Sequence, residues 1–169
     1  MTTVLETERL VLRELHEDDA AFVLELINEP GWLRFIGDRG IRDVQGAKNY
    51  IVNGPIAMYQ RMGFGLWAAV RRSDGTPMGM CGLIKRDTLD DVDIGFAFLD
   101  RYSGQGYAFE AADAVMAHAR DVVGLKRVVA ITSVDNDKSI RLLGKIGLQF
   151  EKLVRLGDSQ EDVRLFGTA

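Results

Sequence analysis

The chain is 169 residues long, 47% hydrophobic and 27% charged, with a formal net charge of −4. That length buries roughly two-thirds of the surface an unfolded chain would expose, and the composition excludes a disordered or fibrous protein. The acidic balance speaks against nucleic acid or anionic membranes as general partners, since both need a basic face. The single cysteine, Cys81, excludes an internal disulfide and fits a reducing compartment.

One domain over residues 1–169 is expected. No apolar run approaches the ~20 residues that span a bilayer, and the N-terminus lacks the pattern of a secretion signal, so a cytoplasmic location is expected.

In chain order, Leu10–Leu15 reads as a short strand. Acidic residues at Glu17, Asp18 and Asp19 suit a first helical turn, and Phe22, Val23, Leu26 and Ile27 recur at helical spacing up to about Pro30. Trp32 to Arg42 has no clear period. Asp43 is placed to cap a second helix running to Tyr59, which Gly54-Pro55 should kink or break. Phe64–Arg71 and Met78–Lys85 read as strands around an Asp74-Gly75 turn.

The stretch from Asp91 to Arg120 organises the rest. A strand (Val92–Leu99) breaks into a glycine-bearing loop (Asp100–Gly106) that runs straight into a long helix (Tyr107–Val123). Such a junction aims unpaired backbone N–H groups and the positive end of a helix dipole at one point, an anion cradle suited to phosphate. Gly104 and Gly106 have no Cβ to keep a ligand from the backbone. The β-branched run Lys126–Val134 reads as a buried strand, Asp135-Asn136-Asp137 caps a helix over Lys138–Ile146, and Gly147 ends it. Gln149–Leu156 and Asp162–Phe166 form a last hairpin, so an α+β domain with a mostly antiparallel sheet is expected.

The two histidines, His16 and His118, stand in no HExxH, and there is no CxxC and no acidic cluster at calcium-loop spacing, so no metal site is expected. His118 reads as a structural or surface residue and Cys81 as a small buried hydrophobe. The glycine loop lacks GxxxxGK[ST]. Phe109 stands where a Rossmann fingerprint wants a third small residue.

What the residues match is Ser103-Gly104-Gln105-Gly106-Tyr107-Ala108, with Asn136-x-x-Ser139 some thirty residues later, behind an opening Glu6-Thr7-Glu8-Arg9-Leu10-Val11-Leu12-Arg13 and the Asp93-Ile94-Gly95 strand. In this order they resemble the GNAT superfamily of N-acetyltransferases, in the branch that acetylates ribosomal-protein N-termini. The resemblance covers nearly the whole chain. It implies the GNAT fold: a mixed, mostly antiparallel sheet of six to seven strands flanked by about four helices. It also implies acetyl-CoA as cosubstrate and direct transfer to a primary amine, either a protein N-terminus or a small molecule. No nucleic acid or membrane partner is implied, and a homodimer is left open.

The family loop is Q/R-x-x-G-x-G/A, whose amides wrap the cofactor pyrophosphate. Ser103, Gly106 and Ala108 fill it in the register that leads directly into the helix, with Gly104, Gln105 and Tyr107 between them. Arg101, Gly104 and Gly106 fill it in another. Lys138 and Arg141 could meet a cofactor phosphate or be solvated helix charges. The resemblance places an oxyanion donor, an N–H freed by a bulge, at or near Phe98. Asn136 would help hold the pantetheine arm.

The alternation of the strand puts Val92, Ile94, Phe96 and Phe98 on one face and Asp93, Gly95, Ala97 and Leu99 on the other, where small side chains leave room for a ligand. Asp93 is therefore either the base that deprotonates the amine, directly or through water, or a rim charge. Many relatives protonate the leaving thiolate with a tyrosine where this chain has Leu143. Ser139 is then either the acid or only a cap. Trp32, Phe35, Tyr59, Phe64 and Trp67 either line an acceptor pocket or belong to the core. The reading from another class is a non-catalytic acyl-CoA sensor or interaction module, and Leu143 with Asp93 in place of the family's Glu keeps it open.

Overall fold

The structure, a computed structural model, describes residues 2–169. Its centre is one eight-stranded sheet in the order β1-β2-β3-β4-β5-β6-β8-β7. The strands are β1 (Thr3–Glu6), β2 (Leu10–Arg13), β3 (Leu66–Arg71), β4 (Pro77–Ile84), β5 (Asp93–Phe98), β6 (Val129–Ser133), β7 (Gln149–Val154) and β8 (Val163–Gly167). The expected six to seven strands become eight because β1, only four residues long, pairs in a hairpin with β2. In Thr3–Glu6 the two apolar residues, Val4 and Leu5, are adjacent, so the segment shows no apolar–polar alternation.

The α-helices are α1 (Ala20–Ile27), α2 (Pro30–Phe35), α3 (Val44–Ile51), α4 (Ala57–Met62), α5 (Tyr107–His118) and α6 (Asp137–Lys145). The unperiodic stretch after Pro30 turns out to hold α2, which starts with that proline at its first position, where the missing N–H costs nothing. Asp43 caps α3 by accepting from the Gly46 amide at 2.7 Å. Gly54-Pro55 does not break the rod. A π-helical turn over Val52–Ile56 absorbs the proline and passes directly into α4, as such turns do where the i→i−4 ladder loses a donor. The rod ends at Gly63, in the left-handed region at φ 79°.

Both faces of β3 and β4 are covered, so these strands are buried nearly end to end. One core joins Trp67, Met78, Leu83 and Ile94 to Tyr107, Ala111 and Val115 of α5 and Leu143 of α6. The other joins Ala68, Val70, Met80 and Leu99 to Val23, Leu26, Trp32 and Ile51 of α1, α2 and α3. The two faces of β5 divide as the alternation requires: Phe96 and Phe98 pack against the first core and Ala97 against the second.

All neighbouring strands are antiparallel except β5 and β6, which run parallel and pair only at Asp93 and Val129. There the Val129 amide donates to the Val92 carbonyl at 3.0 Å. Beyond that point β6 pairs with β8, not with β5. The sheet therefore forks, and the two facing edges are free of a strand partner.

Candidate active site

Past the end of β5, Asp100–Tyr102 makes one 3₁₀ turn and the chain enters α5 through Gly104 at φ 73° and Gly106 at φ 84°. A side chain with a Cβ is strained at such angles, so glycine is what permits the sharp entry. Asp43 and Asn136 cap α3 and α6 with their side chains, but no side chain caps α5. Among the described residues, the amides of Gly104 to Ala108 donate to no side chain and to no backbone carbonyl outside the helix. These donors and the positive end of α5 lie free together.

The cradle is clamped from the sheet. The Glu110 carboxylate accepts from Thr7 Oγ1 at 2.5 Å, from the Arg9 amide at 2.8 Å and from Arg9 Nε at 2.7 Å. Burial pushes the Glu110 carboxyl up, but the bonds from Thr7 and Arg9 outweigh it and hold it below the usual range. Arg9 also donates to the Gln105 carbonyl at 2.9 Å and lies over the Tyr107 ring. Ser103 donates its hydroxyl to the Asp100 carbonyl at 2.7 Å and so stays inside the turn. Arg101 is held by Glu25, which ties up the side chain that the other register of the loop would use.

The Leu99 amide donates to the Met78 carbonyl of β4 at 2.9 Å. By the alternation of an extended strand, the amides of Phe96 and Phe98 point the other way, into the fork. The expected bulge is absent: β5 stays in register with β4 without a break from Phe98 against Gly79 to Asp93 against Ile84. Divergence of β5 from β6 frees these donors instead.

A cavity of about 370 Å³ fills the fork. Its lining includes Asp93, Asn136 and Ser139, whereas Phe98 and the 103–108 loop lie outside it, farther along the chain from β5. From Asp93 to Phe98 the strand advances roughly 17 Å, so only a long ligand could reach both. Asp93 is 1% exposed, not a rim charge. Burial raises its pKa to about 6 against the opposing pull of Arg86, whose Nε donates to the two carboxylate oxygens at 3.1 and 3.4 Å. Asn136 Oδ1 accepts from the Ser139 amide at 3.4 Å, so the capping residue is Asn136, and the Ser139 side chain is left to line the cavity. Leu143 lines it too and is 1% exposed.

Sequence reasoning missed Arg86, Arg39 and Tyr50, which also line the cavity. Arg86 had one readable signal: it follows the strand that pairs Ile84 with Asp93, which returns it to that carboxylate across a hairpin. Of the aromatic candidates, Trp32 and Phe35 line the cavity. Phe64 and Trp67 belong to the core beside α5, and the Tyr59 hydroxyl bridges the Leu15 amide and the Leu66 carbonyl. Lys138 and Arg141 are exposed on α6 and do not line it.

A sequence profile of the acetyltransferase (GNAT) domain matches residues 9–149. The uncharacterized N-acetyltransferase YoaA of Bacillus subtilis (strain 168) is 28% identical over 156 residues, covering 92% of this chain and 88% of its own. An acetyltransferase from Agrobacterium tumefaciens str. C58 superposes with a TM-score of 0.83 at 24% identity, over 100% of this chain and 95% of its own. The ribosomal-protein-S5-alanine acetyltransferase of Vibrio fischeri does so with a TM-score of 0.79 at 17% identity, over 97% and 94%.

Proposed function

The chain belongs to the GNAT family of acetyltransferases, and on that premise we propose that it moves the acetyl group of acetyl-CoA directly to a primary amine. The observation that carries this reading is the start of α5, a twelve-residue helix whose first amides have no capping side chain and which opens through two left-handed glycines. In this reading the amides of Gly104 to Ala108 hold the pyrophosphate, with Ser103, Gln105 and Tyr107 shaping the loop. The rest of the cofactor lies along the free edge of β5, where Asn136 holds the pantetheine arm.

Transfer forms a C–N bond, breaks the thioester C–S bond and moves one proton off the amine and one onto sulfur. Asp93 takes the first, directly or through a water; its pKa of about 6 leaves it ionised at neutral pH yet a better base than an exposed carboxylate. The Phe96 amide, which points into the fork and whose residue lines the cavity with Asp93, donates to the carbonyl oxygen as it becomes an oxyanion. Phe98, roughly 17 Å along the strand from Asp93, is too far away to serve the same centre. Ser139 supplies the proton to the thiolate, since the residue one turn further along α6 is the buried Leu143.

The test is thiol release from acetyl-CoA across a panel of peptide N-termini and small amines, run beside thermal melts with CoA. Turnover with some amine and a CoA-dependent rise in Tm are expected. A CoA-dependent rise with no turnover of any amine would favour an acyl-CoA sensor, the reading that the buried Leu143 supports. No response to CoA would remove both.

A further inference from the structure

Two buried side-chain polar atoms have no hydrogen-bond partner among the described residues, Trp32 Nε1 and Thr132 Oγ1, and both residues line the cavity of the fork. Trp32 is 6% exposed. An N–H hidden from water without an acceptor is unfavourable, and an acceptor atom brought into the cavity by a ligand or an ordered water would satisfy it. Two guanidinium groups line the same cavity. Arg86 engages Asp93 through Nε alone, leaving its two terminal nitrogens without a partner among the described residues.

Arg39 has no hydrogen bond or ion pair among them, although its neighbours are answered: Arg34 by Asp135 and Arg42 by Asp38. Its guanidinium lies 5.5 Å from the centre of the Tyr50 ring. Burial raises the Tyr50 phenol, and the charges of Arg39 and Arg86 both pull it down. Of the two carboxylates lining the cavity, Asp93 is already met by Arg86, and Glu161 stands in the exposed turn between β7 and β8.

We propose that the acceptor is an amine that also carries an anionic group, a carboxylate or a phosphoryl group, received by Arg39, the free nitrogens of Arg86 and the Trp32 indole N–H. This rests on the acetyl-transfer reading of the same cavity. Planar guanidinium groups match the paired oxygens of such anions, and placing the anion there leaves the amine to Asp93. Cationic polyamines would meet the unpaired positive charge of Arg39 instead.

The experiment measures acetyl transfer to matched pairs: α-amino acids against their α-carboxamides, and phosphoethanolamine against ethanolamine. A carboxamide has the more readily deprotonated amine, so a preference for the acid cannot come from amine basicity. The anionic member of at least one pair should have a kcat/KM at least about tenfold higher, the range of a charged hydrogen bond. The pair that responds distinguishes carboxylate from phosphoryl recognition. Arg39→Gln and Trp32→Phe should each cut that ratio by about threefold or more, with CoA affinity on each variant reporting that the cleft survives. The proposal is overturned if both pairs are used equally, if neither substitution moves the ratio, or if a protein that binds CoA acetylates no member of either pair. Loss of CoA binding in the unaltered protein would strike the acetyl-transfer reading itself.

Discussion

In the proposed reaction, proton removal from the amine falls to the Asp93 carboxyl group. Burial and Arg86 act on it in opposite senses, and burial wins, leaving its pKa at about 6. If it is the base, kcat/KM rises with pH around 6 as the carboxylate forms. Asp93→Asn should abolish that limb and lower the rate by about 10²- to 10⁴-fold where the acceptor amine is protonated. Arg86→Gln should move the limb to higher pH, because the cation that favours the carboxylate is gone; pH–rate profiles of the three proteins check both. The same shift has a cost in stability. Between the unfolded value near 4 and the folded value near 6, the unfolded chain releases this proton while the folded chain keeps it, so folding weakens as pH rises through that window. The loss amounts to about 3 kcal/mol at most. Asp93→Asn escapes it, and the Tm of the variant relative to the parent protein should climb between pH 4 and pH 7. A difference that stays flat would mean the carboxyl is not strained by its burial.

At the scale of an element, the turn between β1 and β2 holds the start of α5 through Thr7 and Arg9, and the proposed anion site depends on that hold. Gly106→Val would force a branched side chain into φ 84° with its Cβ 3.2 Å from Arg9 Nη2. The expected cost is about 1–2 kcal/mol of stability, with at least a tenfold loss of CoA affinity from blocked backbone approach. Glu110→Ala leaves the loop sequence intact but strips the acceptor from Thr7 Oγ1 and from two Arg9 nitrogens. It should cost about 2–3 kcal/mol and weaken CoA binding less than the glycine change, because the amides remain and only their positioning suffers. Calorimetric titration with CoA beside thermal melts separates the two. Equal affinity in all three proteins would show that the cradle binds nothing. The helix itself was legible from its run of apolar residues behind two glycines. Its clamp was not, because Thr7 and Arg9 are more than ninety positions from their partners.

The fork between β5 and β6 is a property of the whole sheet. One pair of residues joins its two leaves through β5 and β6, so a ligand lying in the fork would bridge them. Binding of CoA at 100 times its Kd should add about 2.7 kcal/mol of stability. Amide hydrogen exchange should slow at Phe96, Phe98 and residues 104–108 rather than uniformly. Protection confined to other elements would take the cofactor out of the fork.

Read without a structure, the chain already determines its local features. Asp43 announces a cap, Asp74-Gly75 a turn, and the pattern around Asp93 the two faces of β5, because each depends on side chains within a few positions of one another. The glycine-bearing entry to α5 is legible for the same reason. The tertiary structure alone decides where β5 leaves β6, that the Phe98 amide is freed by divergence rather than by a bulge, and that Asp93 is buried against Arg86. It also decides that Trp32 and Arg39 reach the same cavity. Those outcomes depend on which distant strands pair and how far they stay paired, and strand pairing is set by the packing of two cores at once, which no stretch of neighbouring residues encodes.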